Sequence, residues 1–160
     1  MAGRVVKAYV GLGANLGDRA AAIRAAIDRL NTTPGARVTR ISALVENPAV
    51  GGPDDSPSFL NAAAEIETTL SARALLDRML EIETELGRVR RQRWAPRAID
   101  LDLLLFGDEV IHEQGLQVPH PLMHGRRFVL EPLAQIAPDV VHPALGLSVA
   151  QLLEKLSPPT

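Results

Sequence analysis

Apolar residues recur along the chain at the two spacings that distinguish strands from helices. Strands are predicted over Lys7–Leu12, Val38–Val45 and Phe59–Leu70, and a helix over residues 19–30. A second helix follows Ser71 with an apolar stripe of Leu75, Met79, Ile82 and Leu86, and Ile99–Phe106 is a further strand. The order strand, helix, strand, strand, helix, strand predicts an α+β fold. Its ferredoxin-like antiparallel sheet has a βαββαβ core with helices on one face.

Glycine and proline set the predicted turns and the C-terminal additions to this core. Gly11 and Gly13 are predicted to end the first strand and to shape a turn before the first helix. Gly107-Asp108 predicts a hairpin turn into a strand at Glu109–Ile111. The additions are a helix over Phe128–Ala137, interrupted near Pro132, and a helix over Ser148–Leu156. The whole chain, residues 1–160, is predicted to form a single domain.

Two carboxylates interrupt the apolar run of the strand Ile99–Phe106. Side chains two residues apart share one face of a strand, so Asp100 and Asp102 lie about 6.6 Å apart at the backbone. The other face, predicted to meet the core, carries Ile99, Leu101, Leu103 and Leu105. Two close carboxylates suit a hard cation with oxygen ligands, although a salt bridge to Arg97 is an alternative.

A basic segment immediately precedes these carboxylates. Residues 88–97 hold five arginines and Trp94, which is the only tryptophan of the chain. Arginine suits polyanions, so the basic segment and the carboxylates together indicate magnesium and a nucleotide polyphosphate. Taken alone, such an arginine cluster is most often a solvated face or a loop that contacts RNA.

Composition and charge narrow the classes of protein. The chain has 160 residues, 46% of them hydrophobic, and a net charge of −2, which favours a small anionic ligand over a long nucleic acid. The absence of cysteine excludes disulfides, thiolate zinc sites and a thiol nucleophile. No apolar run is long enough to span a membrane, and no signal peptide is recognisable, so a cytoplasmic protein is expected.

Three familiar motifs are not satisfied. Leu16 occupies the place of the third glycine in a dinucleotide fingerprint, and no Walker-type phosphate loop occurs. His120 and His124 have the spacing of a zinc pair on a helix, but prolines on both sides of His120 exclude a helix there. Two alternatives are equally compatible with the sequence at His120. It either contacts a phosphate as a single histidine or is an ordinary surface residue.

The stretch RWAPRAIDLDLLLFG at residues 93–107 resembles the signature of 6-hydroxymethyl-7,8-dihydropterin pyrophosphokinases, enzymes of the folate pathway. Similar segments cover nearly the whole chain in the same order: YVGLGANLGDR at 9–19, FLNAAAEIET at 59–68, LGRVR at 86–90, VPHP at 118–121 and RRFVLEPLAQIAP at 126–138. The resemblance is to the monofunctional form. It implies transfer of pyrophosphate from ATP to the pterin hydroxymethyl group, with release of AMP.

The resemblance also implies roles for individual residues. Asp100 and Asp102 would hold two magnesium ions, and Arg88 and Arg97 would bind the phosphates and stabilise developing charge. Positions that contact ATP in the family correspond to Glu83, Arg90, Leu103 (through its backbone), His120 and Arg126. Positions that contact the pterin correspond to Phe59, Asn61, Phe128 and the loop 47–51, with Asn47 and Val50. Trp94 would close over both substrates.

The same resemblance implies a monomer that acts on two small molecules, ATP and 6-hydroxymethyl-7,8-dihydropterin, without nucleic acid or membrane partners. A rival interpretation is a non-catalytic module that binds nucleotide or RNA on a ferredoxin-like sheet. The rival accounts for the arginines but leaves Asp100 and Asp102 unexplained, because carboxylates without a metal repel phosphate.

Overall fold

The computed structural model describes residues 4–15, 17–47, 58–87 and 99–156. The strands are β1 (Val6–Ala14), β2 (Ala36–Ile41), β3 (Val45–Asn47), β4 (Phe59–Thr68), β5 (Asp100–Phe106), β6 (Ile111–Glu113) and β7 (Leu116–Val118). The helices are α1 (Arg19–Asn31), α2 (Ala72–Gly87), α3 (Arg127–Ile136) and α4 (Val149–Lys155), with a short 3-10 turn at Met123–Gly125.

The main sheet has the antiparallel order β2-β4-β1-β5, and β3 also pairs with β4. With β1, β2, β4 and β5 as the four strands of the βαββαβ core, this order is that of a ferredoxin-like sheet. The predicted fold class is therefore confirmed. The strand predicted over Val38–Val45 is divided, since residues 42–44 separate β2 from β3.

Both faces of the sheet are covered. On one face, α1 and α2 bury a core that includes Ile23, Leu30, Leu75, Met79 and Ile82. On the other face, α3 and α4 form a second core with Leu104, Leu105, Leu130 and Leu133. The C-terminal additions therefore cover part of the second face, and the remainder of that face is open. No helix in the described part of the chain has the length and apolar character needed to cross a bilayer.

Side-chain caps fix where the predicted helices begin. The Asp18 carboxylate accepts a hydrogen bond from Ala21 N at the start of α1, and the Ser71 hydroxyl accepts one from Ala74 N at the start of α2. Each cap satisfies an amide that the first helical turn leaves without a partner. Ser148 forms a capping box with Gln151 at α4.

The prediction that Gly11 and Gly13 end the first strand is wrong. Both residues lie inside β1, where Gly11 pairs with Ala63 and Gly13 with Asn61 on β4. The positive φ that favours glycine occurs later, at Gly17, where φ is 60°. A positive φ therefore does not explain the glycines at positions 11 and 13.

The predicted alternation of side chains between the two sheet faces over residues 99–106 is also wrong after Leu103. Val10 pairs with Leu103 and Tyr9 with Leu105, so Leu104 is an extra residue and forms a β-bulge. The bulge reverses which face the following side chains take. Leu101, Leu103 and Phe106 pack beside α1 and α2, whereas Leu104 and Leu105 both pack beside α3.

Two further expectations are corrected. Gly107 N donates to Lys7 O and the chain leaves the sheet, so the next strand, β6, pairs with β7 and not with β5. Gly115, with φ of 75°, lies in the turn between β6 and β7. The helix α3 runs through Pro132 without interruption, at the loss of one amide donor.

His142 holds the loop before α4 and makes the stability of this region sensitive to pH. Its Nδ1 accepts hydrogen bonds from Ala144 N (3.2 Å) and Leu145 N (3.1 Å), so Nδ1 must be unprotonated. The residue is only 5% exposed. Burial lowers the pKa of His142, and the nearby His124 lowers it further, while a backbone hydrogen bond opposes the shift.

The stability contributed by neutral His142 is expected to be lost in mild acid. Because its folded pKa lies below the unfolded value of about 6.5, the contribution is complete above that pH and is lost as pH falls through the folded pKa. The slope cannot exceed about 1.4 kcal/mol per pH unit for one proton. Urea unfolding from pH 8 to pH 5 measures it.

The matched control is His142→Asn, which keeps a side-chain acceptor near the same amides but does not titrate in this range. Subtracting the pH dependence of its unfolding free energy from that of the wild type removes the contributions of the other titrating groups. Parallel profiles for the two proteins would show that His142 is not the group responsible.

Candidate active site

A cleft of about 930 Å³ opens where the second face of the sheet is not covered by α3. Its walls come from β1, β4, α2, β5, the β6–β7 turn and the start of α3. Among the lining residues are Gly13, Phe59, Asn61, Leu76, Leu80, Glu83, Asp100, Asp102, Leu103, Leu116, Gln117, His120, Arg126 and Phe128. Residues from these six elements therefore meet in one cavity.

The two carboxylates lie at the edge strand of this cleft, opposite two glycines. Asp100 pairs with Gly13 and Asp102 with Gly11 on the neighbouring strand β1. Directly paired residues project to the same face of a sheet, so the β1 neighbour of each carboxylate adds no side chain of its own to the cleft. The Asp102 side chain is 43% exposed, and Asp100 is half-buried. Both are hard oxygen donors that face an accessible space.

An aromatic and amide site lies two strands away on the same face. Asn61 pairs with Gly13 from the β4 side, so Asp100, Gly13 and Asn61 form one row across three strands. Two strand spacings separate the row's ends by about 10 Å. The amide of Asn47 on β3 donates from Nδ2 to Asn61 Oδ1 at 3.0 Å. Phe59 is the next residue of β4 on this face.

Phe128 brings a second aromatic ring to the same end of the cleft from the first turn of α3. The Arg126 guanidinium carbon lies 5.5 Å from the centre of the Phe128 ring, which is within cation–π range. Phe59 and Phe128 are both half-buried and both line the cleft. This end of the cleft can accommodate a flat heterocycle with a polar edge.

The outer edge of β5 has its own partners. The amide of Leu101 points away from β1 and donates to Glu83 Oε2 at 2.8 Å. Further along, the carbonyl of Leu104 accepts from His120 N at 2.9 Å. Backbone groups two residues apart in a strand point the same way, so the polar groups of Leu103 lie at this edge, between the two contacts.

His120 lies beside Asp102 and is oriented by the backbone. Its Nδ1 accepts from Leu122 N at 3.2 Å, which leaves the proton of the neutral ring on Nε2, 3.7 Å from Asp102 Oδ1. Burial lowers the pKa of His120, the Asp102 carboxylate opposes that shift and Arg126 reinforces it. The neutral ring therefore presents an N–H to the carboxylate side of the cleft.

Glu83 is expected to stabilise the edge of β5. It is 8% exposed, and the Glu83→Ala variant removes the acceptor of the Leu101 amide. A buried donor without a partner costs about 1–3 kcal/mol, so the free energy of unfolding should fall by about that amount. Urea denaturation measures the change.

Glu83→Gln is the matched control, because its amide oxygen can still accept from Leu101 N. It should retain most of the stability that Glu83→Ala loses. Equal losses in the two variants would indicate that the carboxylate charge, and not this hydrogen bond, is what stabilises the strand.

Most of the predicted site residues in the described part of the chain meet in the cleft. Glu83, Asp100, Asp102, Leu103, His120, Arg126, Phe59, Asn61 and Phe128 line it, and Asn47 contacts Asn61. Arg88, Arg90, Trp94, Arg97 and Val50 lie outside the described residues. Gly13, Leu76, Leu116 and Gln117 also line the cleft and were not predicted. The sequence carried a usable signal for Gly13 alone, because a glycine inside a strand often marks a place where another group approaches the backbone closely.

The two carboxylates of β5 can hold a magnesium ion only together with further oxygen ligands from water or substrate. Within the described ranges there is no group of three or more histidine, aspartate or glutamate side chains arranged to hold a metal. Magnesium is commonly bound by one or two carboxylates together with water and substrate phosphates. Asp100 and Asp102 match that pattern.

Known proteins resemble this chain over most of its length. The sequence profile of the 7,8-dihydro-6-hydroxymethylpterin-pyrophosphokinase (HPPK) family matches residues 9–138. A relative from Methylorubrum extorquens named 2-amino-4-hydroxy-6-hydroxymethyldihydropteridine pyrophosphokinase is 45% identical over 96% of both chains. A Bacillus subtilis protein of the same name is 44% identical, over 90% of this chain and 86% of its own.

Solved structures are similar in fold. Wild-type HPPK-DHPS from Plasmodium falciparum superposes with a TM-score of 0.74 at 15% sequence identity. The match covers 95% of this chain and 45% of that longer chain. At this identity the likeness concerns the fold alone.

Proposed function

The chain belongs to the 7,8-dihydro-6-hydroxymethylpterin-pyrophosphokinase family, and on that premise we propose how its cleft carries out the reaction. It is an enzyme of pyrophosphoryl transfer in folate biosynthesis. The proposed reaction moves the β,γ-pyrophosphoryl group of ATP to the hydroxymethyl oxygen of 6-hydroxymethyl-7,8-dihydropterin. The products are AMP and the pterin diphosphate. The observation that carries this proposal is the row Asp100–Gly13–Asn61 across three strands.

The acceptor would bind at the aromatic end of that row. Phe59 and Phe128 would cover its two ring faces, and Asn61, oriented by Asn47, would bind its polar edge. The row spans about 10 Å, which lets a bicyclic ring held at Asn61 direct a substituent towards the carboxylate end. Fixed positioning of this kind turns a bimolecular step into an effectively unimolecular one.

Asp100 and Asp102 would hold the two proposed magnesium ions from the opposite end. When bound, magnesium supplies charge neutralisation of the phosphates and polarisation of the transferring group. The protein's own contribution is to keep both carboxylates on one rigid strand and open to the cleft. His120 presents its Nε2 towards Asp102 and helps to orient that carboxylate.

The nucleotide would lie along the outer edge of β5. Leu76, Leu80 and Leu116 offer apolar surface for a base there, and the backbone of Leu103 offers polar groups to its edge. Arg126 supplies positive charge between this edge and the acceptor end. Glu83 lines the cleft and also supports this edge through Leu101 N, and it keeps its proposed part in nucleotide binding.

Further parts of the proposal concern segments outside the described residues. Arg88 and Arg97 would bind the phosphates, Arg90 would contact ATP, and Trp94 would close over the site. Val50 would complete the acceptor pocket. Action as a monomeric single domain in the cytoplasm, with small-molecule partners and no nucleic acid, also belongs to the proposal.

One incubation tests the proposed reaction. The protein is mixed with ATP, Mg²⁺ and 6-hydroxymethyl-7,8-dihydropterin, and the nucleotide products are separated. AMP formed in equal amount with pterin diphosphate is the expected result. ADP would indicate an ordinary kinase, and no turnover combined with magnesium-independent RNA binding would favour the binding-module alternative.

A further inference from the structure

Gly13 is the one residue of the row Asp100–Gly13–Asn61 to which the proposed reaction gives no role. It lies inside β1 without a positive φ, so its backbone conformation is open to any residue. A Cβ atom added at this position would lie 2.9 Å from Asn61 Nδ2 and 3.9 Å from Phe59 Cδ1. The space beside Gly13 is therefore filled by two side chains of the acceptor end.

A Cβ atom at position 13 would overlap with the Asn61 amide, but relieving this overlap should cost the fold little stability. Carbon and nitrogen atoms that are not bonded do not approach to 2.9 Å, so one of them must move. The atom that would move is the terminal amide of a side chain with rotatable bonds, and no backbone atom lies closer than Leu60 O at 3.9 Å. The side chain can rotate away, but rotation takes the amide from the position in which it accepts from Asn47.

We propose that Gly13 is a positioning residue for the acceptor: its missing side chain lets the Asn61 amide stand where it binds the polar edge of the pterin. This inference rests on the proposed function, because it assigns Asn61 to that edge. Gly13 itself touches no reacting atom. A methyl group there would affect acceptor recognition while leaving the sheet and the nucleotide end intact.

Gly11 provides a matched control on the same strand and the same face. The three heavy atoms nearest to a Cβ atom at Gly11 would all belong to the Leu104 side chain, at 3.5 to 3.8 Å, which is ordinary van der Waals contact. The two variants Gly11→Ala and Gly13→Ala therefore add the same group to neighbouring positions of β1. They differ in whether the group displaces Asn61.

The experiment compares steady-state AMP release by the wild type, Gly13→Ala, Gly11→Ala, Asn61→Ala and the Gly13→Ala/Asn61→Ala double variant. Gly13→Ala should raise KM for the pterin roughly tenfold and keep KM for ATP within about twofold, with a melting temperature lowered by no more than about 4 °C. Gly11→Ala should raise pterin KM by less. In the double variant the pterin KM should match that of Asn61→Ala, because the group through which Gly13 acts is already gone.

Three results would overturn the inference: an unchanged pterin KM in Gly13→Ala, an equal rise in KM for ATP, or a full repetition of the penalty in the Asn61→Ala background. An unfolded Gly13→Ala protein would contradict the mild structural cost, and the double variant, which lacks the crowding amide, would still report on the coupling. Failure of the proposed function is distinct, since the wild type itself would then release no AMP.

Discussion

Replacing Asp102 with asparagine is expected to lower turnover by about three orders of magnitude or more, while the protein stays folded. The change keeps the size of the side chain and removes its negative charge. Asp102 is one of the two carboxylates that β5 presents to the cleft, and its side chain is 43% exposed. The loss of charge therefore acts on a bound cation and phosphates far more than on the fold, whose stability should change by about 0.5 kcal/mol or less.

AMP release at saturating ATP and pterin measures the effect, and a magnesium titration shows whether a higher concentration restores part of it. Asp108→Asn is the control, because Asp108 is an exposed carboxylate in the turn that follows the same strand. Turnover of Asp102→Asn close to that of the control would remove Asp102 from the proposed metal site. A melting temperature far below that of the wild type would show that the loss is structural.

Replacing Phe128 with alanine should have the second largest effect and should act on the acceptor. Stacking of a ring on an aromatic side chain contributes about 1–3 kcal/mol, so kcat/KM for the pterin should fall by roughly ten- to a hundredfold. Phe128 lies in the first turn of α3 and is half-buried, so the helix should survive the truncation. Steady-state kinetics with the pterin varied at saturating ATP measure the loss.

Phe128→Tyr retains the ring and should remain within about threefold of the wild type. Because Arg126 packs over the Phe128 ring, the KM for ATP is followed in both variants. An unchanged pterin KM in Phe128→Ala would exclude the ring from the acceptor site. A rise in KM for ATP alone would assign Phe128 to the support of Arg126.

Local signals were enough to predict the elements whose causes lie within a few residues. The apolar stripe of α2, with Leu75, Met79 and Ile82 all buried, follows from helical periodicity. The caps at Asp18 and Ser71 act over three residues, and both are present in the structure.

What failed depends on partners distant in sequence. The bulge at Leu104 arises from pairing with β1, about 95 residues earlier, and no property of residues 99–106 announces it. The β6–β7 pairing likewise replaces the expected hairpin with β5. Gly13 was misjudged because glycine is usually a turn signal, whereas here the requirement comes from the Asn61 amide on β4.

The chemistry of the candidate site could be predicted from the sequence, but only some of the residues that form it could. Spacing along β5 placed Asp100 and Asp102 on one face without reference to any family. The assignment of Phe59, Asn61 and Phe128 to a proposed acceptor site came from family resemblance, because no local sequence pattern links the three residues. Leu116 and Gln117 had no signal, since they reach the cleft through a turn whose position depends on the rest of the fold.

Within the described residues the sheet ends at β5 on one side and at β2 and β3 on the other, and β2 and β5 are poor templates for another chain. Each carries a bulge, at Thr39 in β2 and at Leu104 in β5. In each strand one amide is not available to donate to another chain, because Val38 N already donates to Asn31 Oδ1 and Leu101 N to Glu83 Oε2. Edges modified in this way resist intermolecular sheet extension. The Glu83 contact that supports the edge of β5 thus also makes that edge a poorer partner for a strand of another molecule.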